Sequence, residues 1–345
     1  MRAATFFDGT RWREGVVGAD DDGRMLLRDE NAASDLPRLD GVVVGGFTDH
    51  HVHLQLVEHE RLAGSRLGRV VDLGGDPAVV APYAGAARVV PATGARSRGD
   101  RDDRPRSLSE RSETRRATRI DFAGAFLTPV GGYPSDRSWA PADSFREIAT
   151  AQGAVAAVAE MADAGASCIK VASNSSAGPV FDDIVFRVLV EAADDRGLPV
   201  VAHAEGRGEA QRVARLGAAT LAHAPFTERL TDDEIAEQAA SVSWISTLAI
   251  HGGAELRVAL DNVRRFHAAG GAVRYGTDMG NGPTPVDLNP LEIAALRDAG
   301  LDDIALLRAL APADPCGPAS VLLLLPHPEA DPTLARPLTP ADLEA

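Results

Sequence analysis

The chain lacks several features that would assign it to a special class of protein. It has only two cysteines, Cys168 and Cys316, too few for a disulfide framework. No apolar stretch approaches the roughly 20 residues that a membrane-spanning helix requires. The amino-terminal residues also lack the apolar core of a secretory signal. We therefore expect a cytoplasmic protein with no membrane partner, and we interpret Cys168 as a core residue.

Positive charge is scarce as well. The 35 lysines and arginines are outnumbered by 50 aspartates and glutamates, which gives a formal net charge of −15 at pH 7. A chain of this charge is repelled by nucleic acids and anionic membranes, so the expected partner is a small-molecule substrate. The sequence leaves open whether the chain forms a homo-oligomer.

Lysine is almost absent, because Lys170 is the only one in the chain and every other basic residue is arginine. It lies in the apolar run SCIKVA (167–172), which indicates a buried strand. A guanidinium stays protonated, whereas a desolvated lysine can lose its proton and react with CO2 to form a carbamate or with a carbonyl to form a Schiff base. From its position alone, a salt-bridged lysine retained by chance is an equal alternative.

From residue 46 onward, short apolar runs alternate with longer amphipathic segments. The runs predicted to be strands are Phe47–His53, Arg69–Leu73, Ile120–Ala125, Ser167–Ala172, Pro199–His203, Ala218–His223, Val242–Leu248 and Ala272–Asp278. The predicted helices are Ala154–Ala164, Asp183–Arg196, Glu209–Leu216, Thr231–Ala239 and Ala254–Ala269. This alternation predicts an α/β fold, specifically a (β/α)8 TIM barrel over residues 46–315.

Two segments fall outside this alternation. Residues 1–45 contain short apolar stretches broken by Asp-Gly turns, which predict the strands of a small β element. Residues 96–119 hold nine arginines among Asp, Ser, Glu and Thr, and this composition predicts a solvated loop before the third strand. An arginine-rich anion site is the alternative for that loop.

Side chains suited to metal binding close several predicted strands. His51 and His53 alternate on one strand face, so both can hold the same metal ion. The carboxyl ends of barrel strands share one rim, where catalytic groups gather. Each motif alone is a weak signal, but an ordered set at successive strand ends is specific. The rest of that set is Lys170, His203, His223 and Asp278.

Together these motifs resemble the amidohydrolase superfamily of metal-dependent (β/α)8 hydrolases, in particular its imidazolonepropionase-like and metal-dependent dipeptidase branch. The segments that carry the resemblance are GFTDHHVHL (46–54), AGASCIKV (164–171), HAE (203–205), AH (222–223) and GTD (276–278). The resemblance implies a small β domain built from both chain ends, here residues 1–45 and 316–345. Because the tail is short, we expect a reduced domain. The arginine-rich segment departs from the family pattern.

The resemblance also implies a metal centre with two divalent ions. The implied ligands are His51, His53 and Asp278 for one ion, His203 and His223 for the other, and a carboxylated Lys170 between them. Imidazole and oxygen ligands suit Zn2+, with Mn2+ or Fe2+ as alternatives. Two ions would generate hydroxide near neutral pH and polarise a carbonyl, and Asp278 would also be the catalytic acid/base. The expected reaction is hydrolysis of an amide C–N bond in a dipeptide, an N-acyl amino acid or a cyclic amide.

Two other functions are compatible with the sequence. In a mononuclear deaminase of an aminated heterocycle, Lys170 would stay an amine and Glu205 would protonate the ring, although Glu205 also suits a helix start. A metal-free binding barrel is the third interpretation. The loops after the strands offer candidate substrate-binding residues, of which we select Tyr133, Trp139, Arg207 and His251.

Overall fold

Both ends of the chain contribute strands to one mixed sheet. The computed structural model describes residues 1–84, 118–317 and 320–344. Six strands form this sheet: β1 (Arg2–Phe7), β2 (Trp12–Ala19), β3 (Met25–Arg28), β4 (Arg38–Gly45), β15 (Leu322–Leu325) and β16 (Arg336–Pro337). Their order is β16-β15-β4-β1-β2-β3. β4 is central, with parallel pairing to β1 and antiparallel pairing to β15.

Alternation along β4 explains why this sheet is buried on both faces. Val43 points into a small core with Phe6 of β1. Its neighbours Val42 and Val44 point the other way, into the main core of the molecule. The period of two is the one that a strand imposes, and here it attaches the sheet to the rest of the fold.

A second sheet of seven parallel strands holds most of the predicted site residues. Its strands are β8 (Phe126–Pro129), β9 (Phe145–Ile148), β10 (Ile169–Asn174), β11 (Val200–Glu205), β12 (Thr220–Leu221), β13 (Ser243–Ile245) and β14 (Ala272–Arg274). The order is β14-β13-β12-β11-β10-β8-β9. Every residue of β10 is buried, as expected for a parallel strand covered on both faces.

The remaining parallel strands, β5 (Phe47–Val52), β6 (Leu67–Asp72) and β7 (Arg119–Phe122), form a third sheet in that order. The strand predicted over 120–125 ends at Phe122 as β7, and β8, which was not predicted, begins at Phe126. The break is at Gly124, which has φ +77° and lies so close to Met161 that a Cβ would be 2.4 Å from its Sδ. Only glycine fits this conformation and this contact.

Helices lie between the later strands, as predicted. Their bounds are α1 (Pro77–Val80), α2 (Ala151–Asp163), α3 (Asp183–Asp194), α4 (Glu209–Arg215), α5 (Asp232–Ser241), α6 (Gly253–Ala268), α7 (Pro290–Asp298) and α8 (Asp303–Leu310). Side-chain caps begin several of them, including a capping box at Thr231 and Glu234. The sequence interpretation missed α1, α7 and α8.

Residues 96–117 of the arginine-rich segment lie outside the described residues, whereas Arg119 begins β7. Across the described ranges, no helix combines the length and apolar character needed to cross a membrane.

Candidate metal centre and substrate pocket

His51 and His53, at the carboxyl end of β5, point their Nε2 atoms toward each other at 3.3 Å. The Nδ1 atom of His51 is 2.8 Å from the carbonyl oxygen of Ala222, and that of His53 is 3.1 Å from the oxygen of Gly74. A carbonyl oxygen can only accept a hydrogen bond, so each Nδ1 must carry the proton. In its neutral form each ring therefore presents the lone pair of Nε2 to the same point.

The carboxylate of Asp278 meets this pair of nitrogens. Its Oδ1 atom is 3.2 Å from Nε2 of His51 and 3.1 Å from Nε2 of His53. Its Oδ2 atom accepts a hydrogen bond of 2.8 Å from Nδ2 of Asn281. Asn281 thus fixes the carboxylate and leaves Oδ1 directed at the imidazoles.

The backbone at Asp278 differs from the predicted strand. The strand predicted over 272–278 pairs only as far as Arg274, and Asp278 has a φ of +52°. This left-handed conformation is uncommon for aspartate, and strain of this kind is often found at functional sites. Gly276 allows the close approach, since a Cβ there would be 2.2 Å from Ile245 and 3.3 Å from His51.

His203 and His223 extend the cluster from the neighbouring strand ends. The ring centroid of His223 is 4.7 Å from that of His51 and 4.8 Å from that of His203. Nδ1 of His223 lies 2.9 Å from Oγ1 of Thr247, and Nε2 of His203 lies 3.1 Å from Oε2 of Glu205. Each ring therefore keeps one nitrogen without a protein partner among the described residues.

Lys170 lies beneath these rings and is 1% exposed. Its Nζ atom has no hydrogen-bond partner in the described part of the chain, and it lies 5.6 Å from the centroid of the Phe126 ring. Burial lowers the pKa of this amine to about 8. A buried amine without an acceptor is costly, so an added group on Lys170 would remove an unfavourable feature of the fold.

Electrostatics in the cluster favours a bound cation. Burial lowers the pKa of His51 and His223 well below the usual value, so both rings are neutral. Burial acts to raise the pKa of Asp278, but the neighbouring imidazoles, including His53 with its raised pKa, outweigh burial and hold the pKa of Asp278 well below its usual range. Burial likewise opposes charge on His53, yet the carboxylate of Asp278 raises its pKa. A proton on His53 can thus occupy the place where a metal cation fits.

The donor set passes a simple test of fit to a metal ion. One ligand atom each from His51, His223 and Asp278 lies within 4.8 Å of the others, and imidazole nitrogen with carboxylate oxygen is a set that Zn2+ accepts. The Oδ1 atom of Asp278 lies 3.2 and 3.1 Å from two imidazole nitrogens, yet in the described residues neither contact has the geometry of a hydrogen bond. Without a positive charge between them, these lone pairs would repel one another.

A pocket of about 240 Å³ opens above the cluster and continues into a space of about 250 Å³. Tyr133 stacks on His203 with ring centroids 5.1 Å apart, and His251 lies 4.1 Å from Phe226. Trp139 lines the adjoining space. Arg207, in contrast, is outside both lining sets, and its side chain is 96% exposed.

The sequence interpretation missed Asp49 and Thr247, which position ligands. The carboxylate of Asp49 accepts hydrogen bonds from the backbone N–H of His51 and from the hydroxyl of Thr277, at 3.0 and 2.5 Å. It thereby joins β5 to the segment that carries Asp278. Asp49 lies two residues before His51, and strand alternation could have placed it on the same face. No local signal identified Thr247.

Comparison with known proteins is informative only at the level of structure. No protein-family model and no curated protein match the sequence. The structure of a Xaa-Pro dipeptidase with bound methionine matches at a TM-score of 0.64 and 16% identity, covering 96% of this chain and 93% of that one. A. niger ochratoxinase matches at a TM-score of 0.68 and 15% identity, covering 97% and 94%. Phenylurea hydrolase B matches at 0.61 and 16%, covering 96% and 91%.

The chain has the fold of these solved structures. A structure described as an amidohydrolase is also similar, at a TM-score of 0.63 and 17% identity, covering 96% of this chain and 92% of that one. At the level of the fold, these findings agree with the resemblance drawn from the sequence motifs. The structure brings together five imidazole and carboxylate side chains and a buried lysine that the sequence interpretation had selected. These are His51, His53, Lys170, His203, His223 and Asp278.

Proposed function

We propose that this protein is a metal-dependent hydrolase that cleaves an amide C–N bond in a small molecule. The observation that carries the proposal is the convergence of Nε2 of His51, Nε2 of His53 and Oδ1 of Asp278 at the base of a pocket. The names of structurally similar proteins support this reaction class, since they include a dipeptidase, a phenylurea hydrolase and a dihydroorotase. The substrate could be a dipeptide, an N-acyl amino acid or a cyclic amide.

We also propose that the two parallel sheets close into one (β/α)8 barrel over residues 46–315. Backbone contacts at both seams support closure. At one seam the N–H of His50 donates to the oxygen of Tyr275 at 3.0 Å, and at the other the N–H of Ser167 donates to the oxygen of Phe122 at 2.8 Å. Residues 1–45 and 316–345 would then form a separate small β domain.

His51, His53 and Asp278 would hold one divalent ion, and His203 and His223 would hold a second. Lys170, as a carbamate, would lie between them. Zn2+ suits these ligands best, and Mn2+ or Fe2+ can replace it. When bound, the ions supply Lewis-acid activation of water and of the substrate carbonyl.

The protein side chains have separate tasks in this proposal. The carboxylate of Asp278 would accept a proton from the attacking water and return it to the leaving nitrogen, while Asn281 holds Oδ2 in position. Burial raises the pKa of Tyr133, so its hydroxyl stays protonated and can donate to the substrate. Trp139 and His251 would complete the pocket wall. Arg207 is left out, because its side chain points into solvent.

The decisive experiment measures metal per chain on protein purified without chelators in bicarbonate buffer. About two divalent ions per chain are expected. Lys170→Ala should lower this number and abolish amide hydrolysis, and short carboxylic acids should partly restore activity by replacing the carbamate. No bound metal after addition of zinc or manganese would overturn the proposal, and full activity in Lys170→Arg would overturn the carbamate.

One observation favours a deaminase as the second candidate. Oε2 of Glu205 lies 3.1 Å from Nε2 of His203 and accepts a hydrogen bond of 2.7 Å from Asn174, so a carboxyl group suited to proton transfer faces the pocket. One metal ion per chain, an unmodified Lys170, and ammonia release that is lost in Glu205→Gln would favour this candidate over amide hydrolysis.

A further inference from the structure

A second cavity lies at the opposite end of the strands from the candidate metal centre. Its volume is about 590 Å³, within the range of small-molecule sites. β6 contributes Arg69, β14 contributes Arg274 as its last residue, and α8 contributes Arg308. Gly270 and Gly271, which precede β14, also line this cavity, whereas Asp278, which follows β14, lines the other pocket. The two sites therefore lie toward opposite ends of this strand.

The charge of this cavity is opposite to that of the chain. Acidic residues outnumber basic residues 50 to 35 over the whole sequence. Yet the cavity is lined by three arginines and two histidines, and no aspartate or glutamate from the described ranges lines it. A concave surface lined by one sign of charge concentrates the field and attracts ions of the other sign.

Arg274 is the central observation. In the part of the chain that the structure describes, its guanidinium makes no hydrogen bond and no ion pair. Crowding by surrounding atoms and the nearby guanidinium of Arg69 both lower the pKa of Arg274, although the residue remains exposed to solvent. Two like charges thus share one cavity, and the one at Arg274 lacks a counter-ion.

The other two arginines have donors to spare. Arg69 donates through Nε to Asp121 at 2.6 Å, and Asp121 also accepts from Arg119 at 3.0 Å. Arg308 donates through Nε to the carbonyl oxygen of Thr10 at 3.0 Å. A guanidinium has five N–H donors, so both keep terminal amino groups available. The bonds through Nε also hold the two side chains in place.

We propose that this cavity binds a small molecule carrying an oxyanion group, which Arg274, Arg69 and Arg308 would coordinate. Guanidinium groups bind phosphate, sulfate and carboxylate oxygens through paired hydrogen bonds. The rest of the wall is formed by small and apolar residues, among them Ala305, Ala309 and Pro312, which would contact an uncharged part of the ligand. The site is independent of the proposed hydrolysis.

Inorganic sulfate is a suitable probe, measured through the midpoint of thermal unfolding at constant ionic strength. Ligand that binds only the folded protein raises this midpoint in a saturable manner. For the parent protein, we expect the shift in this midpoint to saturate as sulfate is added. Arg274→Gln should need an at least about tenfold higher sulfate concentration to reach half of its maximal shift. Arg187→Gln, an exposed arginine on α3, removes the same charge elsewhere and should behave as the parent.

Two further measurements keep the test decisive. The metal content per chain should be the same in Arg274→Gln as in the parent protein. If Arg274→Gln fails to fold, Arg308→Gln replaces it and should show the same loss of sulfate affinity. Sulfate binding that disappears in His51→Ala but persists in Arg274→Gln would place the anion at the metal centre and overturn the proposal. Absence of a saturable shift in the parent protein would overturn it as well.

Discussion

The two ends of the parallel strands have opposite chemistry. At the carboxyl end, lone pairs of His51, His53 and Asp278 converge, whereas at the amino end the N–H donors of Arg69 and Arg274 share a cavity. Both ends belong to the same parallel strands. The comparison teaches that one set of strands offers two places for a ligand. The residues at each end of the strands determine whether that end attracts a cation or an anion.

The backbone differs between the two ends as well. At the carboxyl end, Thr247 and Asp278 have φ values of +43° and +52°, and the chain there leaves the pairing pattern. At the amino end, Arg274 lies within the regular parallel pairing of β14 with β13. Unfavourable conformations are thus concentrated where ligand atoms must converge.

Removing a ligand should affect the carboxyl end most. We expect Asp278→Ala to weaken metal binding by at least about 1,000-fold, since loss of outer-shell partners alone costs 10- to 100-fold. Competition with a chromophoric chelator measures this affinity. His327→Ala, an exposed histidine beside Glu329, is the control. If sulfate binding fell together with metal binding, the two ends would not be independent.

Loss of packing in the core that supports the parallel strands should destabilise the whole fold and so affect both ends. Trp244 is fully buried, stacks on Phe266 with centroids 3.8 Å apart and donates to Gln238 at 3.0 Å. Trp244→Ala should lower the free energy of unfolding by about 3–5 kcal/mol, measured by denaturant titration. Trp139→Ala, at a residue 41% exposed, should cost much less. An equal loss of unfolding free energy in the two variants would contradict this role of Trp244 in the core.

A substitution that disturbs only the support of a ligand should have an intermediate effect. Thr247→Val removes the hydroxyl beside Nδ1 of His223 while keeping a β-branched side chain at the same backbone conformation. Metal affinity should fall by about 10- to 100-fold in the same chelator assay. Thr5→Val on β1 is the matched control, and an affinity equal to the parent would rule out a supporting role for Thr247.

Arg207→Ala should have the smallest effect. Its guanidinium is 96% exposed and lies 3.9 Å from Glu228, a distance and exposure at which ion pairs contribute little. Metal affinity and sulfate binding should both stay within about twofold of the parent. A larger change in metal affinity or in sulfate binding would show that charge outside both cavities influences ligand binding at the two ends.

Much of the carboxyl-end site could be predicted from sequence because its signals are local. His51 and His53 alternate along a strand, and His203 and His223 each end an apolar run. Strand periodicity, with the shared direction of parallel strands, therefore predicted that these four imidazoles lie close together. Lys170 was detectable because no other lysine occurs in the chain.

What could not be predicted depends on contacts between distant segments. The proton on Nδ1 of His51 is fixed by the carbonyl of Ala222, 171 residues later. The arginine cavity joins β6, β14 and α8, and no run of sequence shows these residues together. The break between β7 and β8 likewise depends on the packing of Met161 at Gly124, which a hydrophobic pattern does not contain.

The six-stranded sheet has a consequence for how the protein is made. Arg2 donates through Nε to the carbonyl of Leu343, 341 residues later, and β4 pairs on one side with β15, which the ribosome synthesises after all the strands and helices in between. Until β15 emerges, β4 presents an open hydrogen-bonding edge, and such edges promote aggregation. Nascent chains of this protein thus carry an unprotected edge while β5 to β14 are synthesised.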